Sequence, residues 1–271
     1  MQQYLDIKKG FAVLVVSCDR YSDLWAPFFA LFKRFWPDCP FKVYLLSNAL
    51  RPDFDGVENI LSGRDISWSD NLIKAIDAIN EEYVLFFIDD LFLCAPVDTK
   101  GVQEVFGWIY SHKPNCVRMN CYADNLPVEN KPDKPFNALV GMVSPGMNYR
   151  VSTVLTVWKT EFLRSMLLRD ENAWEFEING TRRSDKFDGF FSTWRNYFPV
   201  VNCVIRGKWR KGALKKINAL GISIPANKRA VMSPAEELAL YLKERRSYVL
   251  SLIPQRYRVR IKGLLSAKGV F

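Results

Sequence analysis

Two continuous apolar runs constrain this chain more than any other feature. FAVLVVS occupies residues 11–17 and YVLFFI residues 83–88. Neither alternates apolar with polar, so each predicts a strand covered on both faces, as in the interior of a parallel sheet. Between them an apolar period of 3.6 appears. Ser22-Asp23 open a helix through Phe35, with Leu24, Phe28, Leu31, Phe32 and Phe35 on one face and Pro37 as its stop. Residues 41–47 (FKVYLLS) read as the next strand. Ser67 to Asp70 read as a capping box leading into Leu72, Ala75, Ile76 and Ile79. Strand and helix in alternation define the α/β class.

Further along, residues 98–112 predict a helix and 116–119 a short strand, while Asn, Pro and Gly break the pattern from 120 to 148. Residues 149–158 predict a strand, 159–168 a helix, and Trp174-Glu175-Phe176-Glu177 an extended segment after a break at Asn172. At Ser233-Pro234-Ala235-Glu236-Glu237 a new helix begins, with serine as N-cap, proline in the first position and acids in the first turn. A division follows into a domain over 1–231 and a basic amphipathic tail over 232–271.

Charge supports that division. Residues 1–200 hold 22 Lys+Arg against 26 Asp+Glu, whereas residues 201–271 hold 16 against 3. A mildly acidic body thus carries a strongly basic end, in which Arg256, Arg258, Arg260 and Lys262 alternate with Tyr257, Val259 and Ile261. Such a stretch either packs on the domain or lies on an anionic bilayer. No apolar run is long enough to span a membrane. The N-terminal charges and the lack of a small-residue cleavage site argue against a signal peptide, so the expected location is cytoplasmic.

A single histidine, His112, excludes histidine-based triads and multi-histidine zinc sites. Its place before a helix stop suits a partner of the helix dipole. The six cysteines form no C-x-x-C pair and read as structural thiols. Chemistry must therefore rest on carboxylates, a hard metal or backbone dipoles. Asp89-Asp90, at the carboxyl end of a buried strand, is the best-placed pair to hold Mg²⁺ or Mn²⁺ against a diphosphate. Capping of a following helix is the alternative. Ser17-Cys18-Asp19-Arg20-Tyr21 ends the first strand on the same sheet edge: Asp19 would accept from a base or ribose, Arg20 would meet phosphate, and Tyr21 would stack. Against this, Asp19 and Ser22 are ordinary turn and N-cap residues.

The order strand, Ser-x-Asp-x-Tyr, helix, strand, Trp-led helix and apolar strand to Asp-Asp resembles the nucleotide-sugar-binding half of GT-A-fold glycosyltransferases. The later segments Tyr149-Arg150-Val151-Ser152, residues 157–163, residues 172–177 and Arg206-Gly207-Lys208-Trp209 are similar to a bacterial group that builds lipopolysaccharide O-antigen and capsule. The likeness covers roughly residues 11–221. It implies a GT-A, Rossmann-like mixed sheet flanked by helices, with the basic helical extension added. The implied activity is transfer of a hexosyl group from a UDP- or GDP-sugar to a lipid-linked saccharide, at the inner face of the cytoplasmic membrane. Adjacent Asp89-Asp90 replaces the family's spaced Asp-x-Asp.

Within that resemblance Asp89 and Asp90 are the metal ligands, and Ser17, Asp19, Arg20, Tyr21, Asp89 and Lys208 the donor-binding set. Arg206, Arg210 and Lys211 join Lys208 as a candidate diphosphate clamp, with a solvated basic turn as the alternative; Arg182-Arg183 is equally open. Glu175 and Glu177 are the candidate bases, because a carboxylate beside aromatics is harder to ionise and, if extended, the two share a face. Ordinary surface glutamates are the competing reading, and Asp185 and Asp188 stand in reserve. A different class of function, nucleic-acid or anionic-membrane binding without catalysis, is suggested by the pI of about 9.2 and the Arg/Tyr alternation. The acidic body and the lack of a nucleic-acid motif favour no nucleic-acid partner. A catalytically inactive scaffold of the same fold is a third reading.

Overall fold

The computed structural model describes residues 9–120, 131–224 and 228–251. Among them the main sheet has nine strands in the order β3-β2-β1-β4-β9-β6-β10-β8-β7. Its first half is β1 (Phe11–Val16), β2 (Lys42–Ser47), β3 (Val57–Leu61) and β4 (Tyr83–Ile88). β1 pairs in parallel with both β2 and β4, and β2 with β3. The second half holds β6 (Cys116–Arg118), β7 (Lys134–Pro135), β8 (Val140–Met142), β9 (Thr156–Lys159) and β10 (Phe190–Thr193). β9 runs antiparallel between β4 and β6, which leaves β6 and its parallel neighbour β10 pointing the same way as β4.

The helices are α1 (Ser22–Phe35), α2 (Trp68–Ala78), α3 (Thr99–His112), α4 (Thr160–Met166), α5 (Ala173–Ser184), α6 (Lys211–Ala219) and α7 (Pro234–Ser251). They cover both faces, and the continuous apolar strands follow from that. Phe11, Val13 and Val15 pack in one core with Leu24, Phe28 and Phe32 of α1 and Phe106 and Ile109 of α3. Ala12, Leu14 and Val16 pack in the other with Leu72 and Ile76 of α2, Leu163 of α4 and Phe176 of α5. The architecture is the expected mixed α/β sheet, mostly parallel and flanked by helices.

Three elements differ from the sequence reading. The strand expected over 149–158 shrinks to β9, because Tyr149 and Leu155 both take positive φ and cannot continue a strand. Arg150 holds the intervening chain as an ordered loop, its guanidinium donating to the carbonyls of Val143, Ser184 and Phe187. Trp174 to Glu177 is helical, the first full turn of α5, so Glu175 and Glu177 do not share an extended face. Between Phe41 and Ser67 an edge strand, β3, adds to the sheet; its half-buried VENIL pattern had given no apolar run to read.

His112 does end α3, with Lys113 as a left-handed cap, and its Nδ1 lies 3.0 Å from the Trp108 carbonyl while its ring stacks on Trp108. Cys18, Cys39, Cys94, Cys116 and Cys203 are all free thiols. No helix among the described residues is long and apolar enough to cross a membrane.

Candidate donor-binding site

From β1 the chain moves outward to β2 and β3, then returns to place β4 on the other side of β1. The reversal makes the gap between the carboxyl ends of β1 and β4 a topological switch point, the place where open α/β sheets leave a crevice for ligands. Ser17 to Tyr21 leave β1 there, and Asp89-Asp90 leave β4. Register confirms the alignment, since Val16 lies opposite Ile88.

Asp89 is 4% exposed and accepts a short hydrogen bond from Ser17 Oγ. That hydroxyl in turn accepts from Trp25 Nε1 at 2.6 Å. The indole fixes the serine and the serine fixes the carboxylate. Asp90 is half-buried in the turn that joins β4 to β5 (Leu91–Leu93), and its carbonyl accepts from Cys203 N at 2.9 Å. Burial raises both carboxyl pKa values, and for Asp89 the neighbouring Asp90 charge adds to the rise. Arg229 works against both shifts, placing its cation within reach of the pair.

The acidic pair adjoins a basic cleft of about 550 Å³, lined by Arg20, Tyr21, Ser22 and Asp23 after β1 and by Arg206, Gly207, Lys228 and Arg229 from the C-terminal third. Its second wall is built by local pairing. β5 pairs antiparallel with β11 (Val200–Asn202), and β12 (Val204–Ile205) then turns back on β13 (Lys208–Trp209). The turn residues Arg206 and Gly207 have φ of 51° and 76°, the left-handed pair that a two-residue hairpin requires. Trp209, fully buried, bridges Val231 in parallel and exchanges backbone bonds with Ala230 and Met232. That bridge fixes the segment carrying Lys228 and Arg229 at the cleft.

The expected donor-binding residues divide. Ser17, Asp89, Arg20 and Tyr21 gather at the switch point, where Arg20 and Tyr21 line the cleft and Ser17 and Asp89 lie outside its lining. Asp19 is there too, but its carboxylate accepts from the backbone N–H groups of Asn48, Ala49 and Leu50. It ties the loop after β1 to the loop after β2, so its oxygens are spent on the scaffold. Lys208 lies outside the cleft lining, its Nζ 2.6 Å from Glu236 Oε1. Of the basic group around Gly207, Arg206 faces the cleft, and Lys211 opens α6. Arg229 and Lys228 were missed. No spacing marks them, because Arg229 meets Asp23 across 206 residues.

The candidate bases also separate. Glu175 is the third residue of a capping box: it accepts from Asn172 N at 2.8 Å while Asn172 Oδ1 accepts from Glu175 N. Glu177, one half-turn on, is half-buried, and its Oε1 accepts from Thr153 N at 2.7 Å, Thr153 Oγ1 at 2.9 Å and Ser152 Oγ at 3.3 Å. Burial pushes its pKa up, against those hydrogen bonds and the charge of Arg118 at the carboxyl end of β6. Glu177 thus belongs to the same sheet edge as Asp89. Asp185 and Asp188 precede β10 and lie at the opposite edge, where Asp185 accepts from Gly146 N. Arg183 is tied to Glu171 and the Met166 carbonyl.

A divalent cation is tested by the donor set. Hard cations bound beside nucleotide phosphates take one or two carboxylates and complete their shell with phosphate and water oxygens. Asp89 and Asp90 supply that number, and burial, which raises both pKa values, disfavours their charged forms until a cation is close by. No group of three or more His, Cys, Asp or Glu side chains among the described residues could enclose a metal by itself. The pair therefore fits a cation shared with a phosphate ligand.

The sheet, its crossover at β1/β4 and the flanking helices define a mixed α/β fold with a mostly parallel central sheet. No family model matches the chain, and no curated protein matches it. Among solved structures it is similar to Staphylococcus aureus TarS residues 1–349, at 13% identity, 67% of this chain, 59% of that chain and a TM-score of 0.42. It thus spans well under two thirds of that neighbour's length. It is also similar to a UTP-bound UGPase from Acinetobacter baumannii (10% identity, 86% and 98% covered, TM-score 0.49). A third likeness is to the mannosyltransferase PcManGT of Pyrobaculum calidifontis in complex with GDP-Man and Mn²⁺ (12% identity, 97% and 81% covered, TM-score 0.47).

Proposed function

We propose that the chain is a glycosyltransferase of the hexosyltransferase type, taking its sugar from a nucleoside-diphosphate donor. One observation carries the reading: Arg229, which lines the cleft with Arg20, Arg206 and Lys228, is near enough to Asp89 and Asp90 at the end of β4 for its charge to act on both carboxyl groups. A diphosphate needs cations around its oxygens, and the leaving group of a sugar transfer is that diphosphate. Arg20, Arg206 and Lys228 are exposed and would take up the charge that develops on it. Asp89 and Asp90 would hold Mn²⁺ or Mg²⁺, which supplies further neutralisation of the leaving diphosphate.

Glu177 is the proposed base. As the acceptor oxygen bonds to the anomeric carbon, the bond to the diphosphate breaks and the carboxylate takes the hydroxyl proton. Its pKa, raised by burial, favours that role over Glu175, which caps its helix. The acceptor is proposed as a lipid-linked saccharide at the inner face of the cytoplasmic membrane, in O-antigen or capsule assembly. The basic C-terminal region supports it, because polyprenyl-linked acceptors lie in an anionic bilayer.

Calorimetric titration of UDP and GDP into the protein, with and without Mn²⁺, tests the donor site. Metal-dependent binding of one nucleotide, lost in the Asp89→Ala, Asp90→Ala double variant, is expected. Binding that ignores both metal and variant would remove the acid pair from the site.

A further inference from the structure

We infer that the face shared by α6 and α7 is a docking surface for an anionic lipid bilayer. The two helices are joined at their N-termini, where Lys211 N donates to Glu237 Oε1 at 2.8 Å, and Lys208 Nζ of β13 meets Glu236 of α7 at 2.6 Å. A groove of about 810 Å³ runs between them, lined by Leu214, Gly212, Pro234 and Glu237 with Lys211 and Lys215. Helical spacing continues this face from Pro234 through Leu238, Tyr241, Leu242 and Arg245. Leu238 and Leu242 are each 58% exposed and Tyr241 50%. Arg245 lies over the Tyr241 ring and donates to its hydroxyl at 3.0 Å.

Charge selects the occupant. Lys211, Lys215 and Arg245 are all exposed around the apolar side chains, and Glu237 already accepts from the Lys211 amide. The chain's own residues 252–271 carry Arg256, Arg258, Arg260, Lys262 and Lys268 with no acid, so placing them on this face sets cation against cation. A second copy, related by a two-fold axis, would also oppose lysine with lysine. An anionic bilayer complements the lysines and takes leucine and tyrosine at its interface. The face depends on the proposed transferase for its purpose and not for its existence: it would hold the cleft beside a membrane-borne acceptor.

Flotation of the full chain with vesicles tests it, comparing phosphatidylcholine alone with equal parts phosphatidylcholine and phosphatidylglycerol. Binding is expected only with the anionic vesicles, weakened by salt. It should drop at least about tenfold in Leu238→Ser, Leu242→Ser and by a smaller factor in Lys215→Ser, because apolar insertion and charge attraction add. An Arg256→Ser, Arg258→Ser, Arg260→Ser variant controls for the basic end. Should that variant alone lose binding while Leu238→Ser, Leu242→Ser keeps it, the face is not the docking surface. Loss of self-association in the leucine variant, with no vesicle binding by the parent chain, would likewise overturn the proposal in favour of a copy of this chain. Nucleotide titration of each variant separates these outcomes from failure of the donor site, which none of them touches.

Discussion

Arg229 grips the Asp23 carboxylate with two hydrogen bonds, from Nε at 2.7 Å and Nη2 at 2.8 Å. The same Nη2 donates to the Arg20 carbonyl, and the guanidinium lies 4.2 Å from the centre of the Tyr21 ring. One C-terminal side chain thereby fixes the start of α1, the turn after β1 and the far wall of the cleft.

Both partners of this pair are nearly inaccessible, at 8% and 4% of the side chain. Arg229→Ala would leave Asp23 buried without its counter-charge, and a loss of about 3 kcal/mol is expected from that mechanism. Urea unfolding measures it. The double change Asp23→Ala, Arg229→Ala should recover part of the loss, and a double variant no more stable than Arg229→Ala alone would rule out the unpaired charge as the cause.

Trp25→Phe keeps the ring in the core but deletes the indole N–H that Ser17 accepts. Stability should fall by about 1 kcal/mol, the net worth of one hydrogen bond. Metal-dependent nucleotide affinity should fall as well, because Ser17 is then free to turn from Asp89. Unchanged affinity in calorimetry would show that Asp89 keeps its orientation without the relay.

Glu175 and Glu177 sit two residues apart and should behave differently. Glu175→Ala removes half of a capping box and should cost about 1 kcal/mol in thermal stability with turnover unaffected. Glu177→Gln keeps the acceptor oxygen that Thr153 and Ser152 use, so the protein should fold, while turnover drops by about 10²-fold to 10⁴-fold on loss of a general base. Donor affinity should stay level. The reverse assignment of effects would transfer the base role to Glu175.

The latch under α7 should be acid-sensitive. Lys208, then the amide and hydroxyl of Ser233, hold the Glu236 carboxyl down to about 2 from its ordinary 4.5. A lowered folded value means that the unfolded state binds the proton more readily, so the latch contributes in full above about 4.5 and is lost as the pH falls through about 2. Amide exchange in α7 should quicken over that window in the parent chain and lose this dependence in Glu236→Gln.

The parts of the fold legible in the sequence are those where one physical demand dominates. β1 and β4 are buried on both faces, so their apolar runs could serve little else, and the carboxyl end of β4 then marked Asp89-Asp90 without further information. α5 was misread although its signal was present: Asn172 and Glu175 stand three apart, the spacing of the capping box that forms. Aromatic residues at 174 and 176 suggested a strand, yet Trp174 is exposed and only Phe176 enters the core. Arg150 is a different case. Its burial against three carbonyls is a tertiary arrangement that no local pattern announces. The cleft's second wall shares that difficulty, since Lys228 and Arg229 acquire meaning only once the Trp209–Val231 bridge sets them opposite Arg20.

That bridge gives the cleft a birth order. Synthesis delivers β1, α1 and β4 early, and they have their core partners well before residue 209 exists. Asp23 must wait for a guanidinium that is made more than two hundred residues later, so a nascent chain already folded at its sheet still has only one side of a binding site. Completion of the cleft is therefore a late event in the life of the polypeptide, and a truncation that spares the sheet but ends before Lys228 would leave Asp23 without its counter-charge and the cleft without its Lys228 and Arg229 lining.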